Sequence, residues 1–217
     1  MTRALCLTCR KAKLTCYCQD LEKFTSNPQF IILLHPKESR KAINTGRMAF
    51  LQLNNALLLT GSSFDEHELF QQLIRDPQKR CFLLFPGPEA LDISDCKHNP
   101  PKAGQQDVFI ILDATWAMAK KMYRLSRCLQ ELPQLMFRPQ QPSQFVIRQQ
   151  PHLDCFSTIE TIHHIIEVMG THPAGEHHRL MKVFRDMVQK QINFELRHSP
   201  ESSLPHDRAD RFALHND

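Results

Sequence analysis

An α/β fold, with a mostly parallel sheet flanked by helices, is predicted by three observations. Short, almost wholly apolar runs recur along the chain, and longer amphipathic stretches separate them. The 217 residues suffice for one substantial core with a small appendage but not for two full domains.

The runs Phe30 to Leu34, Ala56 to Leu59, Cys81 to Phe85 and Val108 to Leu112 are apolar throughout or nearly so and bounded by turn or polar residues, the pattern of parallel strands covered on both faces. Between them, Arg40 to Leu53 and Phe64 to Arg75 carry apolar residues at helical spacing, the second as Phe64, Leu69, Phe70, Leu73 and Ile74, and read as crossover helices. Gln134 to Arg138 and Gln144 to Arg148 flank Pro139 and Pro142, where proline argues for an edge strand or a loop. Ser157 to Met169 has the best-marked helix start: Ser157 as cap, Glu160 completing a capping box, and Ile159, Ile162, Ile166 and Met169 as the buried stripe. A last helix is expected from Gly175 to Arg197. The expected organisation is a cysteine-rich head over 1–25, an α/β catalytic domain over 26–198 and a frayed polar tail over 199–217.

With 41% hydrophobic and 23% charged residues, composition excludes a disordered or low-complexity chain. No apolar run approaches the span of a bilayer, and the first fifteen residues mix Arg3, Arg10, Lys11 and Lys13 with cysteines instead of forming a signal peptide. A soluble, cytoplasmic protein is expected. The net charge of +4 is too mild to imply a nucleic-acid partner unless it is concentrated in one place.

Four of the eight cysteines crowd into the head as Cys6-x2-Cys9-x6-Cys16-x-Cys18. Two close thiol pairs can fold onto one tetrahedral ion, and a closed set of four thiolates suits structural zinc, with an iron–sulfur cluster or a chance grouping of surface thiols as alternatives. So short a segment with few large apolar residues needs a metal to offset the entropy of its ordering. Cys81, Cys96, Cys128 and Cys155 stand singly and read as ordinary thiols.

Val108-Phe-Ile-Ile-Leu-Asp113-Ala-Thr115-Trp116-Ala-Met-Ala119-Lys-Lys-Met122 is an apolar strand that ends at an aspartate and turns at once into a helix. In an open α/β sheet that carboxyl edge binds ligands. On spacing alone, Asp113 and Thr115 read equally well as helix-entry residues, and the single tryptophan as core.

The string Asp113-x-Thr115-Trp116-x-x-Ala119-x-x-Met122 resembles the signature of the DTW-domain family of tRNA-uridine aminocarboxypropyltransferases. The thiol head, Leu84-Phe85-Pro86 after a strand, and Ser157-Thr158-x-Glu160 opening a later helix fall in the family's order; Thr161 departs from the alanine that often follows. The resemblance implies a knotted, SPOUT-like core that binds S-adenosylmethionine. It also implies transfer of the cofactor's aminocarboxypropyl arm to N3 of a tRNA uridine, with methylthioadenosine leaving and position 47 of the variable loop as the target. Residue by residue, it implies that Phe85, Pro86 and Gly87 wrap the adenosine and that Thr115 and Trp116 shape the pocket. Ser157, Thr158 and Glu160 would bind the cofactor or the base, and Asp113 would serve as general base or orienting group, a role that requires partial burial. Separately, no strand is followed by a Gly-x-Gly loop, which disfavours a Rossmann-type cofactor site.

For tRNA, Lys120, Arg124 and Arg127 repeat at helical spacing beside the Asp113 element, and Lys37, Arg40, Lys41 and Arg47, with His35, form a second basic group; a solvated face explains either one equally. Two rival functions remain from the residues: a SPOUT-like RNA methyltransferase, and a zinc-stabilised RNA-binding module without catalysis.

Overall fold

The computed structural model describes residues 4–147, 155–172 and 174–198. Six strands, β1 (Gln29–Leu34), β2 (Leu57–Thr60), β3 (Lys79–Leu84), β4 (Leu91–Asp92), β5 (Gln106–Asp113) and β6 (Gln134–Met136), form one parallel sheet in the order β2-β1-β5-β3-β6-β4. Parallel pairing forces each connection to cross over, and helices occupy both faces. They are α1 (Pro36–Ser39), α2 (Thr45–Gln52), α3 (Glu68–Arg75), α4 (Ile93–His98), α5 (Trp116–Leu125), α6 (Arg127–Gln130), α7 (Thr158–Met169) and α8 (His178–His198).

Alternation along the central strands divides the core. Phe30, Ile32, Phe109 and Ile111 pack with α2, α4, α7 and α8, whereas Ile31, Leu33, Val108 and Ile110 pack with α3, α5 and α6. Burial on both faces explains why β1 and β5 read as unbroken apolar runs. Among the described residues, no helix is long and apolar enough to cross a membrane.

Several expectations need correction. The helix expected over 40–53 begins only at Thr45, because Asn44 caps it by accepting the Arg47 N–H at 2.6 Å. β6 is not an edge strand: it lies between β3 and β4, with Pro133 and Pro139 just outside the paired residues. Residues 144–147 form no strand; the Gln144 N–H is taken by the Glu160 carboxylate instead, and Arg148 lies outside the described residues. Pairing of β4 and capping of α4 by Asp92, whose carboxylate accepts the Ser94 N–H, were invisible as a pattern because the two elements are so short. The tail over 199–217 lies outside the described residues.

The cysteine head consists of turns, with short 3-10 segments at Lys13–Thr15 and Cys18–Asp20. Cys9 and Tyr17 join the same apolar cluster as α7 and α8, and Lys11 Nζ reaches Gln191 Oε1 on α8 at 3.0 Å.

A candidate active site at the carboxyl edge of the sheet

A cleft of about 470 Å³ opens where β3, β5 and β6 end and α7 begins. Its walls come from segments far apart in the chain: Leu84 to Pro86, Ile111 to Trp116, Leu135 to Phe137, Cys155 to Thr158, and Thr45 from the start of α2. This is the edge at which strand-to-helix turns leave backbone and side chains free to meet a ligand.

Asp113 ends β5 and is 6% exposed. Its backbone carbonyl accepts the His35 N–H at 3.1 Å, which pins the end of β5 to the end of β1. Its carboxylate accepts Asn44 Nδ2 at 2.8 Å and Thr158 Oγ1 at 3.0 Å. Asn44 has no choice of orientation, because its carbonyl oxygen caps α2 and its amide group is thereby turned toward Asp113. Gly46 is required by the same approach: a Cβ there would stand 2.3 Å from Asp113 Oδ2. Hydrogen bonds to a charged acceptor are worth about 1.5–3 kcal/mol each and offset the burial of an anion. One carboxylate therefore ties together β5, α2 and α7, the three elements that frame the cleft. The cap at Asn44 was legible from the residue type; its reach to Asp113, 69 positions away, was not.

Thr115 caps α5, accepting the Met118 N–H at 3.5 Å. Trp116 is 39% exposed, so it is a wall of the cleft and not core filler. Its indole N–H donates to Cys155 Sγ at 3.2 Å. Phe85 stacks on Tyr123 with centroids 4.5 Å apart and meets Trp116 at 6.3 Å, so aromatic faces continue from β3 to α5. Met136, Phe137, Phe145 and Phe156, none of them expected at the site, complete the apolar lining.

Of the residues expected to bind cofactor, Phe85, Pro86, Asp113, Thr115, Trp116, Ser157 and Thr158 line the cleft, and Thr161 joins them. Gly87 and Glu160 do not. Glu160 is 4% exposed and accepts from Ser143 Oγ, the Gln144 N–H, and the N–H and Oγ of Ser157, so it fixes the loop after β6 to the start of α7. Gly87 passes so close to β6 that a Cβ would lie 2.2 Å from Gln134 Oε1.

In the head, the four Sγ atoms lie within 4.8 Å of one another, with Cys6–Cys18 at 3.7 Å and Cys9–Cys16 at 3.6 Å. An ion with Zn–S bonds of about 2.3 Å sets sulfur–sulfur edges of roughly 3.75 Å, so the donor set fits a tetrahedral thiophilic ion. Arg10 adopts a left-handed φ of 62°, which turns the chain just after Cys9. The N–H groups of Cys9 and Thr8 stabilise the Cys6 thiolate and lower its pKa to about 6, whereas burial pushes the Cys16 and Cys18 thiols up. A cation among them would offset both the burial and the mutual repulsion of the remaining thiolates.

The basic residues separate into two kinds. Lys37, Arg40, Lys41, Lys120 and Arg124 are exposed, and Lys41 pairs with Glu38 at 2.7 Å. Lys37 and Lys121 both bear on His35 beside the end of β1, so Lys121 joins this group. Arg47, by contrast, is 7% exposed and donates Nη2 to the Ser39 carbonyl, which turns it inward from the surface patch. Arg127 is not on the same helix as Lys120 and Arg124: α5 stops at Leu125, and Arg127 opens α6 and pairs with Glu131.

Fold and cleft together define an α/β protein with a cleft at the carboxyl edge of a parallel sheet and a separate thiol cluster. The DTW domain model matches residues 3–192, and the chain belongs to that family. It is 29% identical over 180 residues to tRNA-uridine aminocarboxypropyltransferase 2 of Drosophila melanogaster, covering 79% of this chain and 68% of that protein. It is 26% identical over 223 residues to tRNA-uridine aminocarboxypropyltransferase A of Arabidopsis thaliana, covering 88% of this chain and 82% of that one. The type 2 protein of Macaca fascicularis is 24% identical, with 93% of this chain and 67% of the relative covered. No solved structure gives a significant match.

Proposed function

We propose that the protein is a tRNA-uridine aminocarboxypropyltransferase, which moves the 3-amino-3-carboxypropyl group of S-adenosylmethionine to N3 of a uridine. The observation that carries this reading is the meeting of the family signature, Asp113 to Trp116, with Phe85, Pro86, Ser157 and Thr158 around one cleft in a member of that family. When bound, the cofactor supplies a sulfonium that activates the carbons attached to it. Which of those carbons meets the nucleophile is then decided by positioning.

The chain's residues suit that task. Phe85, Trp116 and Tyr123 offer aromatic faces for adenine or for the target base. The start of α7, with Ser157 and Thr158 at its N-terminus, suits the carboxylate of the amino-acid arm. Asn44 and Thr158 orient the Asp113 side chain at the cleft wall, where it can accept a hydrogen bond from the arm's ammonium group or from uridine N3–H. Met136, Phe137, Phe145 and Phe156 keep water from the reacting carbon.

The knotted, SPOUT-like core belongs to the same reading. β3 and β4 follow each other in the chain, yet β6 lies between them, and Gly87 in their connection touches the Gln134 side chain of β6. This supports a chain that leaves β6 beneath the 85–90 connection. Residues 1–25 serve as a head that holds structural zinc through Cys6, Cys9, Cys16 and Cys18, on a catalytic domain over 26–198. The eight free cysteines suit a cytoplasmic setting. Lys37, Arg40, Lys41, Lys120 and Arg124 meet tRNA phosphates, and the target uridine, in the variable loop at position 47, leaves its stack to enter the cleft.

Incubation with unmodified tRNA and cofactor labelled in the amino-acid arm tests this. Label in RNA with release of methylthioadenosine is expected. Release of S-adenosylhomocysteine would instead identify a methyltransferase, and RNA binding without cofactor affinity would identify a non-catalytic module.

A further inference from the structure

Beyond the cleft and the thiol head lies a second gathering of metal-ligating groups. His163 and Glu167 stand at i and i+4 on α7, so they share one face, and His177 and His178 come back over that face at the start of α8. One ligand atom from each of the four lies within 4.8 Å of all the others. We propose that His163, Glu167 and His178 bind a divalent transition metal of the zinc type, with His177 holding the carboxylate in place.

The distances carry the argument. His163 Nε2 and His178 Nδ1 are 3.3 Å apart, and Glu167 Oε1 is 3.7 Å from the first and 3.6 Å from the second. An ion with bonds of about 2.0–2.2 Å to nitrogen and oxygen needs ligand separations of roughly 3.3–3.6 Å, so all three atoms reach one ion with little movement. His177 Nε2 is 2.7 Å from the same Glu167 oxygen, a hydrogen-bond distance, and orients the carboxylate as partners behind metal ligands commonly do. The His177 ring is nearly buried, and its Nδ1 has no hydrogen-bond partner among the described residues.

The backbone is shaped for this convergence. α7 ends at Gly170 with φ 64°, and Gly175, with φ 76°, stands one residue, Glu176, away from the histidine pair. A Cβ at Gly175 would lie 2.9 Å from His178 Cδ2, so glycine there makes room for the ring. Two imidazole nitrogens and one carboxylate oxygen match zinc, copper or nickel better than magnesium or calcium. The ion would clamp the end of α7 to the start of α8. The same two helices carry Thr158 to the cleft and Gln191 to the head.

The test uses the full-length chain without a histidine tag, equilibrated with zinc buffered at nanomolar free concentration, and counts metal per chain by mass spectrometry. His178→Ala and Glu167→Gln are chosen because both side chains reach the surface, and circular dichroism checks that each variant is folded. Each variant is expected to hold one zinc fewer than the wild type. Cobalt substituted for zinc should keep its thiolate charge-transfer bands in both variants and lose only the absorption of a nitrogen- and oxygen-bound ion. Equal metal content in all three proteins would overturn the proposal and leave a hydrogen-bonded histidine cluster.

Discussion

Asp107 and Asp113 stand near opposite ends of β5, and they are 3% and 6% exposed. Asp107 meets the Arg80 fork in two hydrogen bonds, Nε to Oδ1 at 2.7 Å and Nη2 to Oδ2 at 3.0 Å, which lock β5 to β3. The same guanidinium also donates to the Asn99 carbonyl after α4. Asp113 accepts hydrogen bonds from Asn44 and Thr158, on two different helices, interacts electrostatically with Arg47, and lines the cleft. Residue type, strand and burial are the same, so none of them assigns the role. A bidentate fork at the amino end spends the carboxylate on joining two strands, while at the carboxyl end the carboxylate joins two helices at the wall of a cleft.

That contrast can be broken by experiment. The largest effect is expected from Asp113→Asn, with transfer to tRNA falling roughly 10²–10³-fold, the scale for losing one pre-organised polar group at a reacting centre. The variant should still fold, as circular dichroism would show, with a lowered melting temperature from the weakened hydrogen bonds, and single-turnover assays that found unchanged transfer would remove Asp113 from the reaction. Next comes Asp107→Ala, which strips Arg80 of its fork partner. Fully buried pairs lose about 3–5 kcal/mol when one partner is removed, and because Arg80 keeps some exposure to water a loss of about 2 kcal/mol is expected. Urea titration reads it, and kcat should hold within about twofold; a fall in kcat without loss of stability would erase the distinction between the two aspartates. The smallest effect belongs to Thr158→Val, which removes one donor from Asp113 and should lower kcat/KM by about 10-fold, matching the low end, about 1.5 kcal/mol, of a hydrogen bond to a charged group. An intact kcat/KM in that variant would show that the Thr158 hydrogen bond is not needed to position the carboxylate.

The site was partly legible because its signature is compact. Asp113, Thr115 and Trp116 follow one another at a strand end, and Phe85 and Pro86 follow another strand, so each fragment showed at close range. Asn44, Gly46, Phe145 and Cys155 carried only local signals, a helix cap and scattered apolar or thiol residues, with nothing to connect them to Asp113. Glu160 shows the reverse error. Its capping-box spacing was read correctly, but its carboxylate is spent on Ser157, Ser143 and Gln144 and does not face the cleft. The basic stripe failed for a similar reason: periodicity carried Arg127 onto the same helix face as Lys120, whereas the chain breaks at Ser126.

Sequence by itself determined the types of the longer strands and helices, the thiol cluster and the aspartate at the end of β5, since each depends on residues within a few positions. Tertiary structure alone decided that β6 enters between β3 and β4, that Arg47 turns inward, and that Asn44 and Thr158 converge on Asp113. The physical reason is that local propensity and spacing act along the chain, while a carboxylate's partners are chosen by packing that brings together residues 69 and 45 positions apart.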